Sequence, residues 1–198
     1  MAENINMFGY VLVSFTILMI LKIYFDSDWH NLTCIISTVD GNKYCVREKE
    51  NMDQVADILA ITTQRLKNLV KYAGEKYPDR DNIKRLVNNF NPRKVKEILP
   101  TSSYTAYSEN KGEKLAFCTT KTKKGKEIID EDTIFFVGMH ELAHIMTVSI
   151  GHKPEFWDNF RFLLTIAKES GTYTPVDYKK SPVTYCGMKI TDNPYFDL

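Results

Sequence analysis

At 198 residues the chain is long enough for one folded domain with its own core and too short for two. Twenty-six basic against twenty-five acidic residues leave a formal charge of +1, which removes any whole-chain electrostatic argument for nucleic acid or an acidic membrane surface. A hydrophobic fraction of 43% with 12% aromatics excludes a disordered chain.

From Asn4 to Leu21 there is no charged residue, and MFGYVLVSFTILMILKIYF (7 to 25) is broken only by Lys22 near its end. This pattern predicts a transmembrane anchor over residues 5–25, with Lys22 snorkelling to the headgroups and Tyr24, Phe25 and Trp29 as interfacial aromatics. A cleavable signal peptide fits less well, because a basic start and a small-x-small cleavage site are missing. Lys22, Lys43, Arg47 and Lys49 all lie on the C-terminal side. The positive-inside tendency therefore predicts a single-pass membrane protein whose domain (residues 30–198) faces the cytoplasm. Asn31-Leu32-Thr33 has the form of a glycosylation acceptor, but it falls too close to the expected bilayer and is read as coincidence.

TCIISTVDGNKYCVRE (33 to 48) reads as a β-hairpin. A two-residue turn at Asp40-Gly41 would set Ile36 opposite Cys45, leaving Cys34 and Cys45 diagonal and poorly placed for a disulfide. With Cys118 and Cys186 they are expected as isolated thiols, at no metal-ligand spacing, which suits a cytosol-facing domain. NMDQ (51 to 54) has the form of a capping box with Asn51 at the N-cap, and the apolar stripe that follows stops before Pro78. Further helices are predicted from Asp81 and over NPRKVKEIL (91 to 99). Ten Lys/Arg against four Asp/Glu between Arg65 and Glu97 read as solvated helix surface rather than a nucleic-acid face, since base-stacking aromatics are absent. EKLAFCTTK (113 to 121) is a strand, a lysine-rich turn surrounds Gly125, and a helix begins near Asp132 as cap. The last helix runs from Pro154 to about Ser170 and buries Phe156, Trp157 and Phe160, and the tail from 172 is expected to be irregular.

Of four histidines, three fall at 140, 144 and 152. His140 and His144 are four apart and share one helix face, so both imidazoles can reach one ion, while Glu141 projects about 100° around the helix and suits a general base acting on water there. This HExxH arrangement predicts zinc (Zn2+). On an unbroken helix His152 would lie about 12 Å beyond His144, so sharing the ion requires a turn, for which Gly151 and Pro154 supply the means. The third ligand could instead be a carboxylate or Cys186. The implied chemistry is peptide hydrolysis by zinc-activated water with Glu141 as base, the oxyanion falling to Tyr185, Tyr178 or Tyr173.

HELAH, the histidine after it, Phe156-Trp157 and the Leu163-Leu164 helix resemble the WLM family of zinc metallopeptidases, related to the SprT/Spartan proteases. ENKGEKLAFC (109 to 118) and IIDEDTIFFVGMHELAH (128 to 144) extend the resemblance over residues 104 to 168, and YCGM (185 to 188) is similar to WLM-like proteins of large DNA viruses. The resemblance implies zinc on His140, His144 and His152 with Glu141 as catalytic acid/base, although seven residues separate the second and third histidines where family members usually have five. A DNA-binding or ubiquitin-like segment is not seen, so crosslink repair does not transfer, and nucleic acid is not expected as a partner. The expectation is an α+β, zincin-like metallopeptidase domain with a small antiparallel sheet. Strand 113 to 121 would form the cleft edge and hold a protein or peptide substrate by β-addition, and the N-terminal helix would sit in a lipid membrane. The alternative is a non-catalytic, membrane-tethered interaction module that zinc merely staples, which requires four protein ligands.

Overall fold

The computed structural model describes residues 7–26 and 32–197 of a mixed α and β chain. In order these are α1 (Met7–Asp26), β1 (Leu32–Ile36), β2 (Lys43–Arg47), α2 (Met52–Lys76), α3 (Asp81–Asn89), β3 (Val95–Glu97), β4 (Ala106–Glu109), β5 (Lys114–Phe117), α4 (Glu131–Met146), α5 (Pro154–Glu169), β6 (Val183–Tyr185), β7 (Met188–Ile190) and a 3-10 turn at Pro194–Phe196. Val55, Leu59, Leu66, Leu69 and Ala73 form the buried stripe of α2, at the helical spacing read from the sequence. That stripe packs on β1, β2 and β3 and against α4, which also meets α3, α5 and β4.

Residues 91–99, expected as a helix, instead supply β3. Val95 and Glu97 alternate inward, and the strand pairs in parallel with β2 (Cys45↔Lys96) and with β5 (Val95↔Leu115). A strand bonded on both sides gains more than local helix preference can offset. The sheet is therefore mixed, in the order β1-β2-β3-β5-β4, rather than small and antiparallel. β5 lies inside it, so the edge expected of 113 to 121 belongs to β4. The tail is less irregular than expected, for β6 and β7 form a separate antiparallel pair. Asn51 begins α2 without a side-chain cap and donates instead to the Lys126 carbonyl at 3.2 Å.

The expected membrane anchor is not carried by the structure: no helix among the described residues is long and apolar enough to cross a membrane. Lys22 interrupts α1, leaving an uncharged run of roughly fifteen residues, about 22 Å against the roughly 30 Å of a bilayer core. The single-pass location and the orientation inferred from it fall with the anchor. Residues 5 and 6, Trp29 and the Asn31 acceptor lie outside the described residues.

The thiol expectation is also corrected. Ser37 and Asn42 close a longer loop with Gly41 at φ +69°, so the register moves by two and Cys34 faces Cys45 directly, bonded to it. Cys118 is bonded to Cys186, and no cysteine is free. The argument for a reducing compartment is thereby removed. Several cations of the 65 to 97 segment are engaged within the protein, Arg65 with Asp132 at 2.7 Å, Lys76 with Glu169 at 2.7 Å and Arg85 with the Met146 carbonyl at 2.9 Å.

Glu97, fully buried in β3, accepts from the Arg47 amide (2.7 Å) and Nε (2.6 Å), Lys49 Nζ (3.0 Å) and Thr119 Oγ1 (2.7 Å). Burial raises its pKa, and the hydrogen bonds from Arg47 and Thr119 outweigh that and hold it below the ordinary carboxylate value. The group pins β2, β3 and the segment after β5 to one point. Glu97→Ala would strand the buried Arg47 guanidinium, and urea unfolding should register a loss of about 3 to 5 kcal/mol.

Candidate metal centre

α4 begins at Asp130, whose carboxylate accepts from the Thr133 amide (2.8 Å) and hydroxyl (2.7 Å). The cap sits two residues before the expected Asp132, which faces Arg65 instead. His140 and His144 lie one turn apart near the end of this helix. It stops after Met146, and Gly151, at φ +82°, turns the chain back just before His152.

The structure brings the three predicted imidazoles together. Their ring centroids stand 5.0 Å (140 to 144), 4.9 Å (140 to 152) and 4.9 Å (144 to 152) apart, close to an equilateral triangle. His140 Nε2 and His152 Nε2 are 3.0 Å apart, and one nitrogen from each residue falls within 4.8 Å of the others. Nitrogens on one tetrahedral zinc stand about 3.3 Å apart at bond lengths of about 2.0 to 2.1 Å, so the spacing suits that ion. Burial, helped by the charge of its histidine neighbours, pulls His140 down to about 3. Burial, with His152 and Lys111 nearby, pulls His144 down to about 4. Both rings are thus neutral near pH 7 and offer a lone pair, as ligation requires.

Beneath the triad lies Phe156 of α5, its ring 4.8 Å from His140, 4.3 Å from His144 and 4.6 Å from His152. The sequence marked Phe156 only as core, and nothing in its spacing announced contact with all three imidazoles. Trp157, expected to be buried, is 40% exposed, and its indole Nε1 donates to the His152 carbonyl at 3.1 Å.

Glu141 is 5% exposed, and burial pushes its carboxyl up to about 8 against a lowering from the Ser108 backbone. It lines the same cleft as the triad, a space of about 1060 Å³ bordered by β4 on one side and by Ile150, Trp157 and Met188 on others. Of the tyrosines considered for the oxyanion, Tyr173 and Tyr178 are buried against each other, hydroxyls 3.4 Å apart, and neither lines the cleft. Tyr185 does line it, but its hydroxyl donates to the Thr105 carbonyl (3.1 Å) and accepts from the Cys118 amide (3.2 Å). Cys186, bonded to Cys118, is not a fourth ligand, and the closed site needed by the stapled-module alternative loses its expected member. The fourth histidine, His30, lies outside the described residues.

No family model matches the chain. The crystal structure of Wss1 from Saccharomyces cerevisiae is similar with a TM-score of 0.44 and 15% identity, covering 62% of this chain and 86% of that one, a likeness too loose to carry an argument. An uncharacterized protein of Invertebrate iridescent virus 3 is 32% identical over 102 residues, 52% of this chain and 58% of that protein. An uncharacterized protein of Acanthamoeba polyphaga mimivirus is 30% identical over 161 residues, spanning 79% of this chain and 81% of its own length. With that identity sustained over most of both proteins, this chain and the mimivirus protein belong to one family.

Proposed function

We propose that the chain is a zinc-dependent endopeptidase that hydrolyses protein or peptide substrates in the cleft between β4 and α4. The observation that carries this reading is the convergence of three imidazoles beside a buried carboxyl, pushed up to about 8, in a cleft whose rim is a sheet edge. The WLM-type resemblance of the HELAH segment supports the same reading.

His140, His144 and His152, all of which line the cleft, would hold the ion. Zinc bound there would supply Lewis-acid chemistry, lowering the pKa of water and polarising a scissile carbonyl. Glu141 takes a proton from the attacking water and delivers it to the departing amine. Its apolar surroundings tune it for that traffic, since a carboxyl pushed up to about 8 gains and loses protons near neutral pH. β4 has β5 on one side only, so the backbone groups of its other side can pair with an extended peptide. Tyr104, Ile150, Trp157 and Met188, all partly or largely exposed around this cleft, favour bulky apolar side chains in the bound segment.

The full chain should bind one zinc, and stripping it with a chelator should abolish cleavage of an unstructured peptide, with activity returning on readdition. Glu141→Gln should lower kcat by about 100-fold to 10,000-fold while zinc stoichiometry stays at one per chain. Undiminished turnover by that variant would remove Glu141 as the base.

A further inference from the structure

A chain that carries two metal ligands on a helix and the third on the turn beyond it must hold that turn in place. Here the turn is seven residues long, and its outward-facing side chains do not anchor it, since Val148 is 66% exposed and Ile150 85%. What anchors it is polar and comes from outside. Lys111 Nζ donates to three carbonyls, those of His144 (3.3 Å), Thr147 (2.8 Å) and Ser149 (3.1 Å). From the opposite side the Glu155 carboxylate accepts the amides of Val148 (2.9 Å) and Ser149 (3.1 Å). The His144 carbonyl belongs to the last turn of α4, where helical geometry supplies no partner, and those of Thr147 and Ser149 lie just beyond it.

Lys111 reaches this place because of its own backbone. Asn110, Lys111 and Gly112 follow one another at φ +49°, +55° and +113°, a left-handed run that only glycine adopts without cost. The run is forced close to α4, for a Cβ on Gly112 would stand 2.7 Å from the Asn89 carbonyl oxygen and 2.9 Å from Ile145 Cδ1. Two residues in a strained conformation at this turn thus serve to direct one ammonium group onto the end of the HELAH helix.

We propose that Lys111 and Glu155 are positioning residues for the metal centre: together they clamp the 147 to 151 turn from its carbonyl side and its amide side, and so set where His152 meets His140 and His144. This rests on the zinc reading above. The clamp acts through the carbonyls and amides of the turn; Lys111 also borders the cleft and its charge reaches His144, whereas Glu155 does not line the cleft.

The test uses the full chain and its Lys111→Met and Glu155→Ala variants. Zinc affinity is measured by competition with a chromophoric chelator, and ligand geometry by the visible spectrum of the cobalt(II)-substituted protein. Each variant should bind zinc on the order of 10-fold more weakly, with a cobalt spectrum altered from that of the parent. The metal-free melting temperature should fall by less than about 4 °C. Should Lys111→Met fail to fold, Glu155→Ala decides alone. Parent-like affinity and spectrum in the folded variants would overturn the clamp while leaving the zinc reading intact. An affinity loss explained by a matching collapse of metal-free stability would overturn it too. A parent chain that binds no zinc would sink the metal reading and the clamp together.

Discussion

The rings of His140, His144 and His152 come together only because α4 ends after Met146 and the chain reverses before position 152. Continuation of the helix would carry the third ring about 12 Å away. Stopping a helix inside a protein exposes its final carbonyls, and each must find a donor. Arg85 takes the Met146 carbonyl, Lys111 takes three others, and Asn159 holds the Thr147 hydroxyl at 2.9 Å. These donors arrive from α3, from the β4–β5 turn and from α5. The histidine cluster is thus a property of how four elements pack, although its members come from one short stretch.

Burial raises the pKa of both Glu97 and Glu141, but their partners send the two carboxyls in opposite directions. Glu97 meets an arginine, a lysine, a threonine hydroxyl and a backbone amide, and keeps its charge below the ordinary carboxylate range. Glu141 has no cation among its described partners and is pushed up to about 8. The first arrangement ties strands together, while the second leaves a group ready to exchange a proton. Burial also serves the histidines, because Phe156 packs against their rings and helps keep His140 and His144, the two more enclosed of the three, neutral.

The cleft wall opposite α4 is assembled from distant segments. Tyr185 joins the Thr105 carbonyl and the Cys118 amide, and the Cys118–Cys186 bond fastens the same corner. Such pairings join residues many positions apart, and a hairpin reading made from local spacing cannot supply them. The Cys34–Cys45 bond illustrates the point on a smaller scale: lengthening the turn by two residues converted a diagonal pair into a facing one.

The amino-acid order alone determined the stripe of α2, the limits of α5, and the placement of His140 and His144 on one face with Glu141 beside them, because helical periodicity and Pro/Gly punctuation are local physics. It also required a turn before His152, without showing what would hold it. Tertiary structure decided the rest: that residues 95–97 join a sheet, that β4 rather than β5 is the edge, that Phe156 underlies the triad, and that Lys111 reaches the end of the HELAH helix. Each of those depends on partners remote in sequence, whose hydrogen bonds and buried contacts outweigh the preferences of the segment itself.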